Sequence, residues 1–170
     1  MYRRLQILVE LIARVLAIAG GAVLLCIIVL TCISIIGRAL VPLNLGIGPI
    51  RGIYDMTEIG MAAAIFAFLP WAQFNEAHAR VDLFQPMMPK SMDRFLDLAF
   101  NLAMLVVATV GTWRLYLGMQ DKLSFGETTL IAQIPVWQGY AVSLLGAVGF
   151  IFVAAFCVLR SGRRMAGLPD

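Results

Sequence analysis

From Val15 to Gly37 the chain reads VLAIAGGAVLLCIIVLTCISIIG, 23 residues without a charge, closed by Arg14 on one side and Arg38 on the other. At a rise of about 1.5 Å per residue such a helix is about 34 Å long, enough to cross a hydrocarbon core about 30 Å thick. The apolar core of a cleavable signal peptide covers only about 7 to 15 residues and ends at a small-residue cleavage site. This run is longer and meets Arg38 directly, so a retained membrane helix is expected.

The rest of the chain has the same character. Of 170 residues, 61% are hydrophobic and 14% charged, with a mean hydropathy of +0.89, whereas roughly a quarter of residues are charged in soluble domains. A second apolar stretch begins around Asp55 to Glu58 and is uncharged from Ile59 to Asn75, with Pro70 expected as a kink or exit. A third is uncharged only from Leu98 to Trp113, and its helix is expected to start near Ser91 as N-cap, with Asp93 in the first turn. The fourth runs from Pro135, suited to a first helical position, to Leu159, with Trp137 and Tyr140 where an aromatic belt lies. The fold class expected is therefore an all-α integral membrane protein, one domain over residues 1–170, with four transmembrane helices at about 15–37, 57–75, 93–116 and 135–159.

Charge sets the orientation. Arg3, Arg4, Arg14, Arg80, Lys90, Arg94, Arg160, Arg163 and Arg164 fall at the two termini and in the middle loop, against Arg38, Arg51, Arg114 and Lys122 in the other two loops. By the positive-inside rule both termini are cytoplasmic, and a bacterial inner membrane fits so small an outer portion. The formal charge of +3 is spread too thinly to mark a nucleic-acid surface, so no nucleic acid is expected and membrane lipids are the natural partners of these charges.

Several chemistries are disfavoured. Cys26, Cys32 and Cys157 lie in apolar spans and form no Cys-x-x-Cys pair, which leaves them as small core residues. A bis-histidine haem needs two histidines and the chain has one, His78; zinc and di-iron sites fail on the same count. No charged residue sits at the centre of spans one or four, where a transport pathway would need one. What recurs instead is small residues at four-residue spacing: Ala13, Ala17 and Gly21; Gly60, Ala64 and Phe68; Gly139, Ser143 and Ala147. Such ridges let helices approach closely in lipid, either within this chain or against a partner.

Three polar places stand out. Glu58, at the start of span two, reads either as a buried ion pair or partner contact, or as an interfacial carboxylate solvated by headgroups. In His78-Ala79-Arg80-Val81-Asp82 the histidine reads as solvated or capping, while Asp82 can cap a short interfacial segment, Leu83 to Met88, between helices two and three. Thr129, with Ile134-Pro135-x-Trp137-x-x-Tyr140, reads as an outer loop leading into span four. The apolar, Gly- and Pro-rich connection from Val41 to Gly52 is expected to lie against membrane or another protein.

In these residues, their order and the four-span layout, the sequence resembles the small integral-membrane (DctQ-type) subunit of tripartite ATP-independent periplasmic, or TRAP, transporters. Glu58 falls where that family has a Glu, His78-x-x-Val81-Asp82 matches its cytoplasmic loop, and Thr129 with Pro135, Trp137 and Tyr140 matches the start of its fourth span. The resemblance implies a non-enzymatic subunit that packs on the scaffold of a large permease subunit (DctM-type). A periplasmic substrate-binding protein would deliver an organic acid, with sodium ions bound in the large subunit and no cofactor in this chain. From their side of the membrane, the outer loops, Arg38 to Glu58 and Arg114 to Ile134, are expected to touch the binding protein. The chain, ending at Asp170 after a basic tail, is expected to be a separate polypeptide. The alternative carried forward is a small self-sufficient homodimeric transporter or channel using Glu58; a lipid or quinone enzyme acting through His78 ranks below both.

Overall fold

A computed structural model describes residues 2–43, 48–77 and 90–166. Among them are four long helices: α1 (Tyr2–Leu40), α2 (Ile53–Phe74), α3 (Lys90–Phe125) and α4 (Val136–Met165), with a 3-10 turn at Val41–Leu43 after α1. All four are long and apolar enough to cross a membrane. The protein is a multi-pass membrane protein. His78, Asp82 and the expected interfacial segment lie outside the described residues.

The helices run past the apolar stretches that marked them. α1 has 39 residues, about 58 Å, and begins well before Val15. Hydropathy marks what lipid covers, whereas charged side chains such as Arg3, Arg4, Glu10 and Arg14 are good helix formers that continue the helix into water. Glu10 and Arg14, one turn apart, make an ion pair of 2.8 Å. Pro70 is no exit: it lies inside α2, fully buried, and the helix continues to Phe74. Pro135 precedes α4 as its N-cap, with Val136 the first helical residue.

The packing order is a row rather than a closed four-helix square. α1 lies on α2, α2 on α4 and α4 on α3, while α1 reaches α4 over a smaller area. Tyr2 stacks on Phe156 near the end of α4, and the Arg163 guanidinium sits 4.2 Å from the Tyr2 ring centroid, so the two chain ends share one end of the row. We call this the terminal end, and the opposite one the far end. The core at the terminal end joins Val9 and Ala13 of α1, Phe74 of α2 and Val153, Phe156 and Cys157 of α4; a second core joins Ala108 of α3 to Phe150 and Ala154 of α4.

α2 and α4 approach backbone to backbone. A Cβ on Gly146 would lie 2.6 Å from both the carbonyl carbon and the oxygen of Phe66. Phe66 is also the residue whose carbonyl loses its i+4 donor to Pro70, which has no N–H. The bare Cα of Gly146 therefore lies against a carbonyl that the helix itself does not cap, an arrangement suited to a weak Cα–H···O contact in an environment without water. Nearby, Gly139 faces Ile59, and Ser143 and Ala147 are buried, so the small ridge on α4 packs within this chain. On α1 the small contact is Gly20, not Gly21. Gly20 lies against Ala64, Ala67 and Phe68 of α2, whereas none of the described residues approaches Gly21. Four-residue spacing drifts off a 3.6-residue helix, and Ala13 and Gly20, seven apart, keep one face.

The described parts of the connection after α1 fold back on α1 itself. Ile50 N–H donates to Ser34 Oγ at 3.2 Å, and Gly37 abuts Gly48, where a Cβ would be 2.6 Å from the Gly48 carbonyl oxygen.

Replacing Gly146 by Ala forces α2 and α4 apart and is expected to destabilise the protein by about 1–3 kcal/mol in detergent-driven unfolding. The same change at Gly111, around which space is open, should cost nothing measurable.

Candidate functional site

Among the described residues, candidate site residues and polar groups gather at the two ends of the α2–α4 contact. At the far end, residues 126–135 form a short clasp over the start of α2. Its own backbone closes it: Thr129 N–H donates to the Ile134 carbonyl at 2.9 Å, Ile134 N–H to Thr129 Oγ1 at 3.1 Å, and Val136 N–H to the Glu127 carbonyl at 3.0 Å. Thr128 and Pro135 form an isolated antiparallel bridge, and Lys122 pairs with Glu127 at 2.6 Å. The turn needs left-handed backbone at Gln133 and Gly126, with φ of 53° and 62°.

Asp55, in the first turn of α2, fastens the clasp from across the bundle. Its Oδ2 accepts the N–H of Ile131 at 3.0 Å and of Ala132 at 2.8 Å. A carboxylate suits this place twice, because it accepts two charge-assisted bonds and lies at the positive end of the α2 dipole. Gly52, just before α2, has φ of 75° and a Cβ there would be 2.5 Å from that of Ala132, so both backbone conformation and space demand glycine.

Under the clasp is a cavity of about 430 Å³. Asp55, Glu58, Ile59, Ala62 and Phe66 of α2 form one wall, Leu115 of α3 the other, and Gly139, Tyr140 and Ser143 of α4 the back; Thr128, Thr129 and Leu130 cover the far end. The cavity lies where α2 and α3 each pack on α4 with little direct contact between them. Glu58, Thr129 and Tyr140, singled out in the sequence at distant positions, line this one cavity. Glu58 is exposed and has no hydrogen-bond or ion-pair partner among the described residues. Trp137 is half-buried in the first turn of α4 and does not line the cavity, and Pro135 holds the start of that helix.

The terminal end holds polar groups that the sequence reading missed. Gln73 Nε2 donates to Asn101 Oδ1 at 2.8 Å, and Asn101 Nδ2 reaches both Ser161 Oγ at 2.7 Å and the Asp97 carbonyl at 2.9 Å. All three side chains are buried, so α2, α3 and α4 are tied at one point. Beside this knot Arg160, 8% exposed, pairs with Glu76 at 2.6 Å, donates to the Phe74 carbonyl, and lies over the Phe74 ring; Arg164 also reaches Glu76, at 3.3 Å. Arg160 thus caps the carbonyl end of α2. The available signal was Asn101, a lone amide inside an apolar span that must find partners away from water. Asp55 had a weaker signal, an acid in a first helical turn.

The family model described as tripartite ATP-independent periplasmic transporters, DctQ component, matches residues 27–165. The chain belongs to the DctQ family. The matched region takes in the last third of α1 and all of α2, α3 and the clasp, and ends with α4. This DctQ protein is thus the small permease component of a TRAP transporter. No curated protein and no solved structure matches the chain.

Two outcomes check these ends of the DctQ protein. Asp55→Ala should speed amide hydrogen exchange at Ile131 and Ala132, with Asp55→Asn, which keeps an acceptor oxygen, falling between it and the wild type. A double-mutant cycle between Gln73→Ala and Asn101→Ala should show a coupling of about 0.6–1.7 kcal/mol in detergent-driven unfolding.

Proposed function

We propose that this small subunit acts as part of the stationary base of the transporter, packing on the scaffold of a large permease subunit in the bacterial inner membrane. Its terminal end faces the cytoplasm, by the distribution of Lys and Arg, and its far end the periplasm. The large subunit carries the sodium and substrate sites and moves an organic acid delivered by a periplasmic binding protein.

The observation that carries this reading is the open row. Of the most apolar stretch of α1 only 6% is buried within the chain, and of that of α3 only 11%. Leu25, Ile28, Val29 and Ile36 on α1 and Val106, Val107 and Val110 on α3 point outward. A row held at its centre by α2 and α4 offers two long apolar flanks, which suits a broad base in the bilayer. Helix association in lipid then depends on fit rather than on hydrophobic transfer. The clasp and the polar knot keep the row rigid at each interface, as a stationary element requires.

Tagged chain should co-purify in fixed stoichiometry with a larger multi-span protein from membranes expressing both, and its deletion should abolish uptake. Reconstituted alone in liposomes it should give no solute or proton flux. Flux dependent on Glu58 would replace this reading with that of a self-sufficient transporter. Trp137→Ala should lower assembly with the large subunit or the protein level, while the profile of transported substrates stays the same.

A further inference from the structure

The geometry points to the cavity between α2 and α3 as the socket for a cationic side chain, a lysine or arginine, carried on a membrane helix of the large subunit, with the Glu58 carboxylate as its counter-ion. This rests on the scaffold reading above and deepens it by naming one contact.

Three observations support it. The first is the shape of the cavity. α4 lines it behind and the clasp at the far end, and among the described residues no element lines the side between α2 and α3, which we take as its mouth, turned towards the plane of the bilayer. A soluble protein approaching from above meets the clasp, whereas a neighbouring membrane helix meets the mouth.

The second is charge. Glu58 sits one turn below Asp55, about 4.5 Å deeper along α2. Asp55 is engaged with the clasp, but Glu58 is exposed and unpaired among the described residues. A carboxylate facing the bilayer is costly to leave without a partner, and pairing with a cation offsets that cost. The third is the remaining polar lining. The Thr128, Thr129, Ser143 and Tyr140 side chains all carry oxygens able to accept hydrogen bonds, matching a group that only donates, while Ile59, Ala62, Phe66 and Leu115 suit its aliphatic stem.

The probe is the assembled complex in its native membrane. A photoreactive phenylalanine derivative is placed at Ala62 or Leu115, inside the cavity, and at Leu25 as a control outside it. Irradiation should give an adduct with the large subunit from positions 62 and 115. In parallel, Glu58→Gln should lower recovery of the complex about tenfold, and Glu58→Lys further, with the level of the small subunit itself unchanged because the side chain is exposed and unpaired among the described residues. Adducts from 62 and 115 with lipid only, or with a second copy of this chain, would overturn the socket, as would recovery of the Glu58→Gln complex equal to wild type. If the wild-type chain co-purifies with the large subunit while any of these results is obtained, the socket fails and the scaffold role stands. If the wild-type chain does not co-purify at all, both fail.

Discussion

The approach of α4 to α2 at Gly146 is the contact on which the rest of the structure depends. It is a backbone-to-backbone contact, tolerating no Cβ, at the carbonyl of Phe66 whose helical donor Pro70 removes. In water a carbonyl of this kind would be solvated. In the bilayer it must be covered, and an approaching glycine covers it at little cost. Once α2 and α4 are joined this closely, α1 packs mainly on α2 and α3 mainly on α4, with α2 and α3 meeting at the Gln73–Asn101 bond. The cavity under the clasp follows from the same arrangement, since two helices that both lie on α4 leave a gap between them.

The side chains buried along these contacts are mostly small. Ala13, Gly20, Ala64, Ala108, Gly139, Ser143, Ala147 and Ala154 are inside, while Ile18, Leu25, Leu145 and Phe152 face out. This inverts the pattern of a soluble bundle for a definite reason. Lipid is as apolar as leucine, so large apolar side chains gain little by turning inward, and small ones allow the backbones to come close. Specificity is then left to the few polar groups. Asp55 holds the clasp at the far end, and Gln73, Asn101, Ser161 and the Arg160–Glu76 pair hold the terminal end.

Much of this was legible in the sequence, and unevenly. Four apolar stretches long enough to span a bilayer gave the helices, because their length is dictated by the solvent. Their ends were less legible: α1 begins at Tyr2 rather than Val15, since a helix persists into water after the apolar residues stop. Glu58, Thr129 and Tyr140 stood out as polar or aromatic groups at an interface, but nothing in their spacing placed them around one cavity. Asn101 and Gln73, 28 residues apart, carry no joint signal in a single chain; only the tie between α2 and α3 makes them partners.

The sequence by itself determined that this is a four-helix membrane protein of the DctQ type with its basic residues biased to one side, because hydropathy and charge act locally and the bilayer reads them residue by residue. The tertiary structure alone decided which helices touch. It chose Gly20 over Gly21, turned Pro70 from an exit into a contact with α4, and placed Glu58, unpaired among the described residues, in the lining of a cavity. Those outcomes depend on helix rotation and neighbour order. Both are set by how backbones fit together when hydrophobic transfer no longer discriminates inside from outside.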